Sequence, residues 1–204
     1  MTEISLILFD LNGVLCRYDR DARIASLAAL ANLSPDAVRA PIWDSGFEDT
    51  GDTGALDAAA YLQGFGQCIG YKLTEAEWVA AQKVAITPIA ATLGLLPRLR
   101  SGVRCAVLTN NNFLVQRHFA TFYPETAALV GNQAFVSGEF GARKPDPQVY
   151  RLCLAHLGCE LAAALFIDDS AANLAGAEKA GLAGLHYTSP EALTAALRAL
   201  RLVD

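Results

Sequence analysis

Three short apolar runs, at 4–9, 103–108 and 164–167, constrain this 204-residue chain more than any other feature. Each is too short for a helix, is almost free of polar residues, and gives way to polar or turn-forming residues at its end. Runs of this kind read as parallel strands covered on both faces. Between and after them apolar residues recur at helical spacing, which predicts helices from Pro88 to about Arg100, from Asn112 onward, and over 147–157, 171–180 and 190–200. Shorter strands are expected at 134–136 and 183–186. Strands alternating with helices imply an α/β fold, a Rossmann-like doubly wound parallel sheet. In such sheets ligands bind beyond the carboxyl ends of the strands.

One stretch breaks the alternation. From 17 to 87 the apolar spacing is helical throughout, with helices expected over 21–32, 35–42, 56–65 and 74–84. Ser34 and Pro35 supply an N-cap and a first helical residue, and Thr74-Glu75-Ala76-Glu77 is a capping box. Residues 44–54, glycine-rich and acidic, read as a loop. The organisation expected is a catalytic core made of 1–16 and 88–204, with residues 17–87 inserted as a helical-bundle cap over its carboxyl edge.

With 53% hydrophobic residues the chain can bury a sizeable core. A net charge of -5 and no run of Lys and Arg give no long-range attraction for nucleic acid or an anionic membrane. Any phosphate must therefore be captured locally. The five cysteines are odd in number and lack metal-ligand spacing, which suggests small core residues in a reducing compartment. Met1-Thr2-Glu3 does not match a signal peptide and no stretch is long enough to span a bilayer, so a cytoplasmic location is expected.

Read to their ends, the strands deliver chemistry to one edge: Asp10 and Asn12 after the first, Thr109 and Asn110 after the second, Asp168 and Asp169 after the run at 164–167. Lys144 lies between them in Arg143-Lys144-Pro145-Asp146-Pro147, just ahead of a helix. Taken singly, Asp10 could be a turn former, Asp168 or Asp169 a helix cap, and Lys144 a solvated surface lysine. Together they differ, because like charges about 4 Å apart repel by roughly 4 kcal/mol at an effective dielectric of 20. A divalent cation relieves that repulsion, and carboxylate and carbonyl oxygens with an incomplete protein shell suit Mg2+ with a substrate phosphate as further ligand. Lys144, the Thr109 hydroxyl and free backbone N–H groups complete a phosphoryl site.

In this order and spacing the chain resembles the haloacid dehalogenase superfamily, in its phosphatases with a helical cap after the first motif. The segments that carry the resemblance are Phe9-Asp10-Leu11-Asn12-Gly13-Val14-Leu15, Val107-Leu108-Thr109-Asn110, Arg143-Lys144-Pro145-Asp146-Pro147 and Phe166-Ile167-Asp168-Asp169-Ser170-Ala171-Ala172-Asn173. The resemblance implies Asp10 as the nucleophile that forms an aspartyl phosphate, with Thr109, Asn110 and Lys144 around the transferring phosphoryl. It implies Asp10, Asp169 and the carbonyl oxygen of Asn12 as Mg2+ ligands, with Asp168 acting nearby or through a water. A small phosphorylated metabolite is the expected substrate. Thr109-Asn110-Asn111-Asn112 and Tyr123-Pro124-Glu125 further resemble a branch acting on α-glucose 1-phosphate.

Asn12 departs from the pattern, since the family's phosphatases usually carry a second Asp there as general acid and base. An amide orients a leaving group but gives up no useful proton, and losing general acid-base help costs about 10² to 10⁴ in rate. Four readings stay open: a hydrolase of esters with good leaving groups, a protein whose Asn12-Gly13 pair deamidates to Asp, a phospho-ligand binder without turnover, and a dehalogenase. The last needs neither metal nor an acidic pair, which argues against it. Arg17 and Tyr18, just past the first motif, meet either the substrate or the start of a helix. Trp43 and Phe47 form either an apolar wall of the site or cap packing. His118, His156 and His186 share no pattern and read as structural or exposed.

Overall fold

The computed structural model describes residues 3–204. The chain opens with β1 (Leu6–Phe9) and β2 (Cys16–Tyr18). Five helices come next: α1 (Arg20–Ala31), α2 (Pro35–Arg39), α3 (Phe47–Asp52), α4 (Ala58–Cys68) and α5 (Glu75–Lys83). Beyond them lie β3 (Ile86–Pro88), α6 (Ala90–Leu93), β4 (Arg104–Thr109), α7 (Phe113–Arg117), α8 (Phe119–Phe122), α9 (Pro124–Val130) and β5 (Ala134–Val136). The chain closes with α10 (Pro147–His156), β6 (Ala164–Asp168), α11 (Ala171–Ala180), β7 (Ala183–His186) and α12 (Pro190–Ala199).

The expected sheet is present. Its order is β5-β4-β1-β6-β7, every neighbour parallel, with β1 at the centre and Phe9 level with Val107 on one side and Ile167 on the other. All of β1 is buried, and its alternation divides it between two cores. Leu6 and Leu8 pack with Val149, Tyr150 and Ala177 of α10 and α11, whereas Ile7 and Phe9 join the face that holds Val115, Leu193 and Leu197. Each such side chain contributes about 1.5–3 kcal/mol on burial. This double covering fixes the strand ends, and so the polar residues just beyond them. Among the described residues no helix is long and apolar enough to cross a membrane, and all five cysteines are free.

The structure departs from the sequence reading in three places. β2 and β3 form an antiparallel ribbon, with Arg17 opposite Thr87, where a helix was expected from Pro88 onward. Gly94 and Pro97 then divide the expected helix into α6 and a 3-10 turn at Leu96–Arg98. The helix expected from Asn112 does start there, with the Asn112 side-chain oxygen capping Leu114 and Val115, but it breaks into α7, α8 and α9, the last opened by Pro124. The third difference lies at 44–54. There a π-helical turn at Ala40–Asp44 leads to Gly46 at φ +80°, which starts α3.

Tertiary contacts rather than local propensity hold α3. A Cβ on Gly51 would lie 2.7 Å from the Tyr61 ring, and one on Gly54 would lie 2.1 Å from the Gly138 carbonyl, so both glycines permit close docking. The Ser137 hydroxyl donates to the Asp52 carbonyl at 2.6 Å. Arg143 pairs with Asp49 and lies 4.0 Å from the Asp52 carboxylate. α3 therefore braces the segment that immediately precedes Lys144.

Burial and the neighbouring Glu48 push the Asp52 carboxyl up to about 7, with Arg143 offsetting only part of the effect. A folded pKa above the ordinary 3.8 means that the contribution of Asp52 to stability is complete below that value and is lost as pH rises through about 7. Asp52→Asn is expected to remove that slope. Urea unfolding across this range should show wild type losing up to about 4 kcal/mol relative to the variant. Parallel pH profiles for the two proteins would contradict this.

Candidate active site

Asp10 stands just past β1, and its N–H donates to the Ile167 carbonyl at 2.8 Å, which ties it to the end of β6. Lys144 reaches the same point from the α10 side. Its ammonium donates to Asp10 Oδ1 at 2.5 Å and to Asp168 Oδ2 at 2.8 Å, with all three groups buried. Asn110 holds the Lys144 backbone from both sides: its Nδ2 donates to the Lys144 carbonyl and its Oδ1 accepts from the Lys144 N–H, each at 2.8 Å. On the far side, Gly176 of α11 lets the Pro145 carbonyl approach to where a Cβ would meet it at 2.0 Å. Lys144 is thus positioned by both its neighbours and its charge.

Asp168 ends β6 and accepts from the Ser170 N–H at 2.7 Å and from Asn173 Nδ2 at 3.0 and 3.1 Å. Asn173 is in turn fixed by the Tyr150 hydroxyl, which donates to its carbonyl at 2.7 Å. Thr109 ends β4, buried, and its hydroxyl oxygen accepts from Asn111 Nδ2 at 2.8 Å, leaving the hydroxyl proton for another acceptor. Asp169, exposed, stands over Gly13. With φ +96° and only 2.1 Å from an added Cβ to Asp169 Oδ2, position 13 accommodates glycine alone without displacing that carboxylate.

Asp10, Asp168 and Asp169 each offer an oxygen within 4.8 Å of the others. Burial, opposed by Lys144 and reinforced by Asp168, pushes Asp10 up to about 6. Partial burial, with Asp168 adding to it, likewise raises Asp169. Burial alone pulls Lys144 down, but the Asp10 and Asp168 charges outweigh it and its pKa ends above the ordinary value. At these separations each carboxylate pair repels by roughly 3–4 kcal/mol at an effective dielectric of 20, and a single ammonium cannot neutralise three anions. The donor set is hard oxygen, open on the Asp169 side, and fits a small divalent cation.

Asn12 is half-buried, and its side-chain carbonyl accepts from the Cys16 thiol at 3.2 Å. Burial, aided by the Asp10 charge, holds that thiol well above its ordinary pKa, so it remains a neutral donor. Asn12, Gly13 and Asp169 form part of an open cleft of about 750 Å³, to which Arg17 and Tyr18 also belong. Phe47 lies elsewhere. It stacks on Tyr61 with ring centroids 5.5 Å apart and packs edge-on against Phe65, inside the helical segment, and Trp43 packs edge-on against the same Phe65. Asn111 and Asn173 belong to the site although sequence reasoning gave them no part. Asn173 stood within the fourth motif and its spacing carried the signal; Asn111 had none.

A family model described as haloacid dehalogenase-like hydrolase matches residues 4–181. The chain belongs to this family. Among curated relatives, a phosphatase of Mycobacterium tuberculosis is 38% identical over 85 residues, covering 41% of this chain and 38% of that protein. The chain spans between 9% and 38% of the length of four such relatives. The structure of a HAD-like family hydrolase from Porphyromonas gingivalis superposes with a TM-score of 0.80 at 24% identity, covering 97% of this chain and 99% of that one. A HAD family enzyme from Bacteroides thetaiotaomicron, crystallised with magnesium and inorganic phosphate, gives 0.74 at 22% identity, covering 91% and 94%. An L-2-haloacid dehalogenase from Xanthobacter autotrophicus shares the fold at 0.64 and 18% identity, covering 96% and 82%. The fold is thus shared with a protein that binds magnesium and phosphate and with one named a dehalogenase, so the fold alone does not assign a reaction.

Proposed function

We propose that this chain is a Mg2+-dependent phosphatase that hydrolyses a small phosphorylated metabolite through an aspartyl phosphate on Asp10, with residues 17–87 as its cap. The observation that carries the reading is the buried Lys144 ammonium bridging Asp10 and Asp168, with Asp169 completing the acidic cluster. An attack on carbon needs no such cluster, and the phosphatase and hydrolase names of the relatives support the phosphoryl reading. The five free cysteines agree with a reducing, cytoplasmic setting.

The side chains of the site divide the work. The free Asp10 oxygen attacks phosphorus, and the bond from phosphorus to the ester oxygen breaks. Lys144 and the Thr109 hydroxyl neutralise and orient the phosphoryl oxygens, the dominant contribution in phosphoryl transfer. Water then attacks phosphorus, which returns the Asp10 carboxylate and releases phosphate. Asp10, Asp169 and the Asn12 carbonyl, with Asp168 nearby, would hold Mg2+, which when bound would supply charge neutralisation and alignment.

Asn12 sets the limit. With only an amide at this position, protonation of the leaving oxygen falls to solvent, which favours esters with good leaving groups and slows dephosphorylation. Asn12→Asp is expected to raise turnover of alkyl phosphates by about 10² to 10⁴. A screen of sugar, nucleotide and aryl phosphates with and without Mg2+ tests this. A wild type that binds phosphate but stays blank, with Asn12→Asp switching turnover on, would favour the second reading, a phospho-ligand binder without turnover, which Asn12 alone supports.

A further inference from the structure

The cleft over Asn12, Gly13 and Asp169 is walled by the start of α1 and the end of α2, and it collects three arginines: Arg17, Arg20 and Arg39. The cleft is lined by an equal number of carboxylates, Asp19, Asp21 and Asp169, in a chain of net charge -5. Its carboxylates are already engaged. Asp19 caps α1, accepting from the Ala22 N–H at 3.0 Å; Asp21 pairs with Arg39 at 2.5 Å; and Asp169 belongs to the cluster around Asp10. Arg17 and Arg20, both exposed, have no carboxylate within ion-pair distance among the described residues. Tyr18 closes the inner wall with its hydroxyl turned inward, where it accepts from Arg23 at 3.0 Å.

We infer that Arg17 and Arg20 form a subsite for a second anionic group, a carboxylate or a second phosphate, on the part of the substrate that leaves. The inference rests on the phosphatase reading for the direction in which the substrate lies. Asp169 belongs both to the cluster with Asp10 and to the lining of this cleft, so on that reading the group attached to the phosphoryl would lie toward the cleft. There an uncharged sugar or aryl group leaves both guanidiniums facing water, whereas an anion takes charge-assisted hydrogen bonds from them. The predicted substrates are phosphorylated carboxylic acids and bisphosphates.

The test compares kcat/KM for p-carboxyphenyl phosphate and an anomeric sugar bisphosphate with that for p-nitrophenyl phosphate, in wild type and in Arg17→Gln/Arg20→Gln. The ratio of anionic-tail to neutral-tail substrates is expected to fall about tenfold or more in the variant, mainly through KM, as the loss of charged hydrogen bonds predicts. The wild-type ratio should also fall with added salt. A ratio that the variant leaves unchanged overturns the subsite while leaving the phosphatase reading intact. If no ester is turned over, the phosphatase reading fails. The subsite is then judged by calorimetric binding of phosphoglycolate and inorganic phosphate to the same proteins. Weaker phosphoglycolate binding in the variant, with phosphate binding little altered, supports the subsite; equal binding of phosphoglycolate to both proteins overturns it.

Discussion

Lys144→Met is expected to cost about 3–5 kcal/mol of folding stability, because it leaves two carboxylates buried beside each other without the cation they share. Methionine preserves the length and the packing over Phe166, whose ring centre lies 5.3 Å from the ammonium, so the loss reports charge rather than volume. The sign comes from the direction of the shift. The Lys144 pKa is raised on folding, so its contribution is complete at neutral pH and fades only above the ordinary lysine value of 10.5. Urea unfolding in EDTA measures the loss. Added magnesium should recover part of it, since a divalent cation among Asp10, Asp168 and Asp169 takes over the missing charge. Turnover should fall by about 10³ or more, because a cation placed where phosphoryl charge develops is gone. A variant as stable as wild type in EDTA would show that Lys144 does not hold the two aspartates.

Asp10→Asn separates stability from activity. Phosphate-ester turnover is expected to fall by about 10⁴ or more, because the proposed nucleophile is removed while the rest of the site is kept. Stability moves the other way. Burial sets the Asp10 carboxyl at about 6 in the fold against an ordinary 3.8, so the stability it contributes is complete below the lower value and lost as pH rises through the higher. An amide at this position avoids that loss. In EDTA at neutral pH the variant should be more stable than wild type by on the order of 1–3 kcal/mol, with the difference vanishing toward pH 4. The site is thus assembled at a cost that the rest of the fold offsets, as expected where function requires buried like charges. An active variant, or one less stable than wild type throughout, would contradict this.

Much of this site is legible in the sequence. Asp10, Thr109, Lys144 and Asp168 announce themselves because each stands at or near the end of a run whose burial is written in its composition, or just ahead of a helix, and parallel strands bring such residues to one edge. The run of helices between β2 and β3 is legible for a related reason, since helical spacing stands out between two strand runs. The hidden features depend on contacts between distant segments. α3 reads as a loop because Gly46, Gly51 and Gly54 argue against a helix locally; its helical form rests on docking to Tyr61, Gly138 and Arg143. The β2–β3 ribbon joins segments some seventy residues apart, and three-residue strands carry no periodicity of their own. Phe47, which the sequence leaves open between a wall of the site and cap packing, packs on Tyr61. Asn111, which serves Thr109 through its side chain, is one asparagine among three in a row, and only the backbone path shows which of them turns back.

The central claim is that Asp10 accepts a phosphoryl group, and rapid acid quench of the protein with a radiolabelled aryl phosphate tests it most directly. On the proposed role of Asn12 in slowing the second step, label should accumulate in a burst, require Mg2+, map to the peptide containing Asp10, and be absent from Asp10→Asn. Steady hydrolysis with no protein-bound phosphate, or label on any residue other than Asp10, would contradict the account.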